Sequence, residues 1–252
     1  MTTGYGGRAR PVETVQRAIA VLHELAASPV DLGHKEIASR TGINGSTVSR
    51  LLSTLVGDEL VSRVEATGYF RLGPRLVELG NAALARVDIR EQCRPHLEAL
   101  TEATGETTTL SLPYREGTIT VDFVQSPSSV RSVAEVGRPS VAHATATGKV
   151  FLAYTDTAAP TVLVPYTDKT ITDHSTLEAQ TREVRRRGWA QAVGEREAGL
   201  NAIACPVLSQ ESLRAIIGVQ GPAQRFGPKA MRSAARMLRD HCLAMSQTGT
   251  RG

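Results

Sequence analysis

Short polar side chains cluster on one face of a predicted helix in the segment Ile43 to Leu55, INGSTVSRLLSTL. Val48, Leu51, Leu52 and Leu55 follow the spacing i, i+3, i+4, i+7, which is typical of a helix that buries one face. The other face carries hydroxyl groups and one arginine but no carboxylate. Short donors let a helix enter a DNA groove, and an arginine can bond the O6 and N7 atoms of a guanine. We therefore predict a DNA recognition helix, with an ordinary amphipathic helix as the alternative. The predicted groove-facing residues are Ser46, Thr47, Ser49, Arg50 and Ser53.

The elements that would position this helix come before it. Helical spacing of apolar residues predicts a first helix from Val12 to Ala27, and a shorter one follows from Gly33 to Arg40. Gly42 suits a position of positive φ in the turn, and Asn44 is a plausible N-cap. Two helices, a tight glycine turn and a third helix make a helix-turn-helix. The predicted inward positions of the first helix are Val15, Ala18, Ile19, Leu22, Leu25 and Ala26.

A predicted β-hairpin follows the third helix directly. Residues 60–64 and 69–72 are β-rich runs on either side of a turn that contains glycine. A hairpin in this place is a wing, and its arginines could reach phosphates beside the groove. We predict a winged helix-turn-helix over residues 12–73. The residues expected to hold phosphates are Lys35, Asn44, Arg63 and Arg71.

Composition excludes several classes of function. The chain has 252 residues, a formal net charge of +4 and only 4% aromatic residues, which argues against a stacking platform for single-stranded nucleic acid. No apolar run reaches the length of a membrane span, and the N-terminus has no apolar signal core, so we predict a cytoplasmic protein without a membrane partner. Three cysteines, far apart in sequence, predict neither a disulfide framework nor a metal site. We expect residues 1–11 to be a flexible arm.

The second half predicts an α+β domain over residues 88–252, reached through a linker helix at 74–87. Paired strands are predicted at 107–112 and 118–125, a third strand at 130–136, and two more at 203–208 and 214–220. The predicted helices cover residues 88–103, 145–154, 159–164, 176–188 and 229–246. Because the strands come mostly in hairpins, we predict an antiparallel sheet with flanking helices.

Along nearly its whole length the sequence resembles the IclR family of bacterial transcriptional regulators. The resemblance rests on VQRAIAVLHELA, KEIASRTGINGSTVSRLLSTL and YFRLGPRLVELG in the first half. In the second half it rests on VGRPSVAHATATGKVFLAY, EREAGLNAIACPV and AIIGVQGP. It implies a winged helix-turn-helix joined to a GAF/PAS-like effector domain, and a homodimer or tetramer on a pseudo-palindromic double-stranded DNA operator. The expected function is that of a ligand-responsive regulator, a repressor of a catabolic or metabolic operon.

The effector site predicted by the resemblance centres on the stretch HATATGK. This stretch is not a phosphate-binding P-loop, because His143 and Val150 occupy positions where that motif needs glycine and a hydroxyl residue. A helix start after small residues can nevertheless present free backbone N–H groups to a carboxylate. The positions carried over from the family are Ser129, Ser132, Ala146, Thr147, Gly148, Ala192, Leu200, Ala202, Gly218 and Gln220.

Four of these positions differ from family members that bind small α-keto acids. Those members have an acid, a cysteine and two serines where this chain has Ala192, Ala202, Gly218 and Gln220. Loss of polar groups and smaller side chains predict a roomier and more apolar cavity. We therefore predict that the small-molecule effector is an organic acid larger than glyoxylate, with an aromatic carboxylate as one candidate.

Two other functions remain open at this stage. An enzyme on a GAF-like domain could use His143 as a base with Ser140 or Thr145 as nucleophile, although no ordered acid accompanies them. An architectural DNA-binding protein without an effector is the other alternative. No catalytic residue, cofactor or metal ligand is predicted, and Cys205 is expected to be a core residue.

Overall fold

The computed structural model describes residues 11–84 and 88–248. The chain divides into two compact units, Met1–Arg86 and Val87–Gly252. Within the described residues, no helix combines the length and the apolar character needed to cross a membrane. The predicted arm at 1–11 lies outside the described residues except for its last one, as do residues 85–87 of the predicted linker helix.

The first unit contains a helix-turn-helix followed by a two-stranded antiparallel hairpin. Val61 pairs with Leu72 and Arg63 with Phe70 in this hairpin, and Leu32 forms a further bridge to Phe70. The wing is therefore tied to the segment that precedes the second helix. The elements are α1 (Glu13–Ala27), α2 (His34–Thr41), α3 (Gly45–Gly57), β1 (Val61–Arg63), β2 (Phe70–Leu72) and α4 (Arg75–Leu84).

Local chemistry sets the turn between α2 and α3. Gly42 ends α2 with φ 68°, a conformation that is costly for residues with a Cβ atom. Asn44 is the N-cap of α3, and its side-chain oxygen accepts a hydrogen bond from the Ser46 N–H at 2.9 Å. The His34 ring nitrogen Nε2 lies 2.8 Å from the Gly45 carbonyl oxygen, so α2 also contacts the start of α3.

The core of this unit matches the predicted buried face of α3 but only part of the predicted face of α1. Val48 and Leu52 are buried with their neighbours on α3. On α1 the buried residues are Val21 and Leu25. Val15 and Ile19 were predicted to point inward and are instead 55% and 45% exposed. Two apolar stripes share this helix, and periodicity alone does not show which one faces the core.

The second unit is an antiparallel five-stranded sheet with helices on both faces. The strand order is β4-β3-β7-β6-β5, and each pair of neighbours is antiparallel. Its elements are α5 (Asp88–Thr104), β3 (Thr107–Tyr114), β4 (Gly117–Val124), α6 (Ala146–Tyr154), α7 (His174–Arg187), β5 (Ala190–Val193), β6 (Leu200–Ser209), β7 (Ser212–Pro222) and α8 (Pro228–Thr248). The fold is α+β.

Different helices cover the two faces of this sheet. Helix α5 packs on the face that carries Thr108, whose hydroxyl donates to the Leu97 carbonyl at 2.9 Å, and α8 contacts both α5 and β6. Helix α6 packs on the other face through Ala146, Val150 and Ile216, and it also contacts α7. Since side chains alternate along a strand, Thr109 faces the α6 side.

Two predictions about secondary structure in this unit were wrong, and one strand was missed. Residues 130–136 form no strand; the Ser132 carbonyl instead accepts hydrogen bonds from the Thr107 and Gln125 side chains. Residues 159–164 form no helix; Pro165 follows directly, and the residue before a proline is disfavoured in the helical conformation. The strand Ala190–Val193 was not predicted, because four small or polar residues give little β signal.

Candidate functional sites

The outward face of α3 presents the predicted groove-facing residues to solvent. Ser49, Arg50 and Ser53 are exposed, and Thr47 is half-buried. Among the described residues, these four side chains make no hydrogen bond. Ser46 differs, because its hydroxyl donates to Asn44 Oδ1 at 2.9 Å and so supports the cap. The geometry leaves one guanidinium and three hydroxyls free on this face.

The cations that were predicted to contact DNA form no ion pair with other described residues. Arg50, Arg63, Arg71 and Lys35 are exposed, and none forms a salt bridge within the part of the chain that the structure describes. Other arginines of the same unit pair with glutamates three or four residues away, such as Arg40 with Glu36 on α2. Unpaired cations beside a helix of short donors suit a polyanionic partner. Asn44 was predicted to hold a phosphate; its Oδ1 accepts from the cap, and its Nδ2 amide group is the donor for such a contact.

A cavity of about 130 Å³ lies in the second unit, between the sheet and the first turn of α6. The strap at residues 132–141 and the loop at 195–200 complete its wall. An engineered cavity of roughly 150 Å³ in another protein holds benzene, so this space fits one small ring or a short chain. Eight of the predicted effector positions line it: Ser132, Ala146, Thr147, Ala192, Leu200, Ala202, Gly218 and Gln220.

Two predicted effector positions do not line the cavity. Ser129 is exposed on the irregular segment before the strap, because no strand forms there to turn it inward. Gly148 is buried against the chain before α6, where a Cβ atom would lie 2.5 Å from the Ala142 Cα and carbonyl oxygen. Its N–H donates to the Thr145 hydroxyl at 3.0 Å. Gly148 is therefore needed for close packing, and its N–H is not available to a ligand.

The first turn of α6 offers two other backbone donors. Thr145 is the N-cap, and among the N–H groups of this turn its side-chain hydroxyl accepts a hydrogen bond only from that of Gly148. The N–H groups of Ala146 and Thr147 have no partner among the described residues, and both residues line the cavity. The first N–H groups of a helix carry its positive dipole end, so these two donors favour an anion.

The cavity also contains hydroxyls that the sequence comparison did not include. Thr109 and Ser111 of β3 and Thr120 of β4 line its sheet side. Ser111 lies directly opposite Thr120 in the antiparallel register. The prediction of a mainly apolar cavity therefore misses a polar patch. Alternation along β3 could have found Thr109 and Ser111, but only after the face that meets α6 was known.

Charged residues lie at the rim of this cavity. Arg138 on the strap and Glu197 on the opposite loop approach to 3.5 Å, and both side chains are about half exposed, at 48% and 54%. The guanidinium of Arg196 stacks over the Tyr166 ring, 3.9 Å from its centroid. Solvent screening makes the exposed pair weak, so Arg138 can exchange partners at little cost.

A buried ion pair supports the wall behind the cavity. Lys149 has no exposed surface, and its Nζ lies 2.7 Å from Glu195 Oε1 and 2.6 Å from Oε2. Only the contact with Oε1 is aligned as a hydrogen bond, so Oε2 is an ion-pair contact alone. Nζ also donates to Gln180 Oε1 at 2.8 Å and to the Gln191 carbonyl at 3.1 Å. Burial lowers the pKa of Lys149, and the charge of Glu195 opposes that shift.

The arrangement around His143 does not support nucleophilic catalysis. His143 is buried, and its Nε2 lies 3.0 Å from the Val164 carbonyl oxygen. The candidate nucleophiles have other partners, because Ser140 bonds Thr118 at 2.6 Å and Thr145 donates to the Val141 carbonyl. In residues 11–84 and 88–248, no three His, Cys, Asp or Glu residues are placed to hold a metal ion. Cys205 is buried in the sheet.

Each half of the chain matches a known family of proteins. The family model described as the IclR helix-turn-helix domain matches residues 14–65, and the one described as bacterial transcriptional regulator IclR C-terminal matches residues 81–247. The glycerol operon regulatory protein of Streptomyces griseus is 32% identical over 87% of this chain and 89% of that protein.

Solved structures show the same fold. The structure of an IclR transcriptional regulator from Silicibacter sp. TM1040 superposes with a TM-score of 0.80 at 30% identity, covering 94% of this chain and 96% of that one. An IclR homologue from Microbacterium hydrocarbonoxydans, complexed with 4-hydroxybenzoate, gives a TM-score of 0.78 at 23% identity, covering 95% of this chain and 100% of that one. At that identity the second match concerns the fold alone.

Proposed function

Since this chain belongs to the IclR family of bacterial transcriptional regulators, we propose that it represses a catabolic or metabolic operon in response to a small organic acid. It is a DNA-binding regulator with a helix-turn-helix and a separate C-terminal unit. One observation carries the finer proposal: the exposed face of α3 combines short hydroxyls with Arg50, and Lys35, Arg63 and Arg71 form no salt bridge with any described residue.

In the proposed complex, α3 enters the major groove of double-stranded DNA. Arg50 reads a guanine, while Thr47, Ser49 and Ser53 contact bases or brace the groove. Arg63 and Arg71 on the wing and Lys35 on α2 hold phosphates, which fixes the position of the helix. Ser46 and Asn44 act mainly through the cap that they form together.

The effector site in this proposal is the cavity beside α6. Two free N–H groups at a helix start favour a carboxylate, and the volume of about 130 Å³ suits a compact body such as one aromatic ring. The relative from Microbacterium hydrocarbonoxydans is described with 4-hydroxybenzoate, an acid of this size. Effector binding must favour one arrangement of the DNA-binding units over another, because a ligand with equal affinity for both would regulate nothing.

We propose a homodimer, or a pair of dimers, on a pseudo-palindromic operator. Exposed apolar residues on the first unit support self-association. Val12, Val15 and Ile19 are 64%, 55% and 45% exposed at one face of α1, and Val77 of α4 is 65% exposed. A two-fold dimer would place two recognition helices in successive major grooves. Because a bacterial operator lies on the chromosome, a protein that binds it would act in the cytoplasm.

The enzyme alternative has less support, because the residues that it would need are engaged elsewhere. The Ser140 and Thr145 hydroxyls have protein partners, and neither contacts His143. We therefore propose that the second unit binds its ligand without converting it. Incubation of the protein with candidate acids, followed by product analysis, would detect turnover.

The test is DNA binding by the full chain to the fragment upstream of its own gene, measured by fluorescence anisotropy over a range of salt concentrations. Arg50→Ala should weaken specific binding by about 1–3 kcal/mol if Arg50 contacts a guanine. Arg182→Ala is the matched control, because it removes the same charge from an exposed position on α7. Equal affinity of the Arg50 variant and the control would contradict the assignment of α3 as the recognition helix.

A further inference from the structure

Two buried hydroxyls on β3 face the cavity without a partner in the protein. Thr109 is 6% exposed and Ser111 is 2% exposed, and both line the cavity. Neither hydroxyl makes a hydrogen bond to any residue that the structure describes. Thr107 on the same strand shows the contrast, because its hydroxyl donates to the Ser132 carbonyl at 2.9 Å and accepts from Gln125 and Ser126. Buried polar groups are nearly always hydrogen-bonded, so these two are available to a ligand.

Gly218 brings the Thr109 hydroxyl close to the first turn of α6. It lies opposite Thr109 in the register of β3 and β7. A Cβ atom on Gly218 would lie 2.8 Å from Thr109 Oγ1 and 3.5 Å from Thr147 Cγ2. The missing side chain therefore lets the Thr109 hydroxyl lie in the gap between β7 and the first turn of α6.

The donors around this gap match a carboxylate. The free N–H groups of Ala146 and Thr147 can only donate, and a hydroxyl can also donate. Arg138 at the rim is paired with Glu197 at 3.5 Å. Neutral donors from two sides, at the positive end of a helix, can hold an anion without a buried counter-charge.

We propose that Thr109 and Ser111 bind the effector carboxylate from the sheet side, while the N–H groups of Ala146 and Thr147 bind it from the α6 side. This inference rests on the proposed function, since it refines the site where the effector binds. It places the body of a monocarboxylic acid toward the strap and the apolar residues Ala192 and Ala202. The donor-only N–H groups at the positive end of α6 favour an acid over its neutral amide, and the two β3 hydroxyls supply further donors to the carboxylate.

The test compares Thr109→Val and Ser111→Ala with Thr108→Val in the full chain. Acetate, benzoate, 4-hydroxybenzoate and the neutral benzamide are the probes, and calorimetry gives their affinities. Thr108→Val removes a hydroxyl from the same strand, but this hydroxyl faces α5 and bonds Leu97 and Thr101. Urea unfolding of each protein without ligand gives its stability.

The three variants should separate binding from stability. Thr109→Val and Ser111→Ala should each weaken binding of the aromatic carboxylates by about 10- to 100-fold, as expected for a hydrogen bond to a charged group. Their unfolding midpoints without ligand should stay unchanged or rise, because no protein hydrogen bond is lost. Thr108→Val should show the opposite pattern, with a lower midpoint and unchanged affinity.

Two results would overturn the inference. Unchanged affinity of Thr109→Val and Ser111→Ala would show that the β3 hydroxyls do not contact the carboxylate. Binding of benzamide as tightly as benzoate, or of no acid in the set, would show that the donors are not an anion site. In either case salt-dependent binding to the upstream DNA fragment would still support the proposed regulator, whereas loss of that binding would contradict the proposed function itself.

Discussion

Replacement of Lys149 by methionine tests the buried ion pair behind the cavity. Methionine keeps most of the side-chain length but leaves the Glu195 carboxylate buried without its cation. Gln180 and the Gln191 carbonyl lose a donor in the same step. Removal of one partner from a buried pair typically costs about 3–5 kcal/mol, because the remaining charge is not compensated.

This loss should be visible in thermal unfolding. For a unit of this size, 1 kcal/mol lowers Tm by about 2–4 °C, so Lys149→Met should lower the Tm of the second unit by roughly 6–20 °C. The double variant Lys149→Met/Glu195→Gln removes both charges and should recover much of the loss. Lys229→Met is the control, because Lys229 is exposed on α8.

The comparison between single and double variants shows whether Lys149 and Glu195 form a stabilising ion pair. Scanning calorimetry on the wild type, Lys149→Met, Glu195→Gln and the double variant gives the coupling energy between the two residues, with Lys229→Met as the control. If Lys149→Met lowered Tm no more than Lys229→Met, the Lys149 ammonium could not be a buried charge partner. If the double variant were less stable than Lys149→Met by a full additional increment, the two side chains would act independently and the pair would not exist.

Three further perturbations have expected outcomes. Gly148→Ala should destabilise the second unit by about 1–3 kcal/mol and weaken carboxylate binding, because the added Cβ would lie 2.5 Å from Ala142 backbone atoms and force α6 away. Urea unfolding measures the stability and calorimetry measures the affinity. An unfolding midpoint equal to that of the wild type would contradict the close packing at Gly148. Asn44→Ala should cost about 0.5–2 kcal/mol in the first unit and reduce DNA affinity through loss of the α3 cap; Asn44→Ser should restore most of both, and failure to do so would point to a direct DNA contact. His96 and His241 approach to 2.8 Å between their Nδ1 atoms, and burial, followed by the His241 charge, lowers the pKa of His96. The folded state therefore binds a proton at His96 less readily than the unfolded state, so stability should fall as pH drops through about 6.5. His96→Gln should flatten that fall in pH-dependent unfolding, and an unchanged pH profile would exclude this pair as its source.

Local sequence patterns were enough to predict the elements whose structure depends on neighbouring residues. The i, i+3, i+4, i+7 spacing in α3 identified its buried face, and Asn44 and Gly42 marked its cap and turn. A side chain on a helix points in a direction set by its place in the repeat, so residues within two turns suffice for that prediction. The wing hairpin and most strands of the second unit were predicted in the same way, because their patterns also lie within short segments. Family resemblance added eight cavity positions that no periodicity would have found.

Packing between distant elements determines which faces meet and which side chains fill the space between them. Thr109 reaches the cavity because β3 pairs with β7 and Gly218 lies opposite it, a register joining residues more than one hundred positions apart. Lys149 finds Glu195 and Gln180 on elements that follow it by tens of residues. On α1 two apolar stripes compete, and packing against α3 selected Val21 over Val15. Local patterns carry side-chain direction, but the partner of each face is fixed only when distant strands and helices pack together.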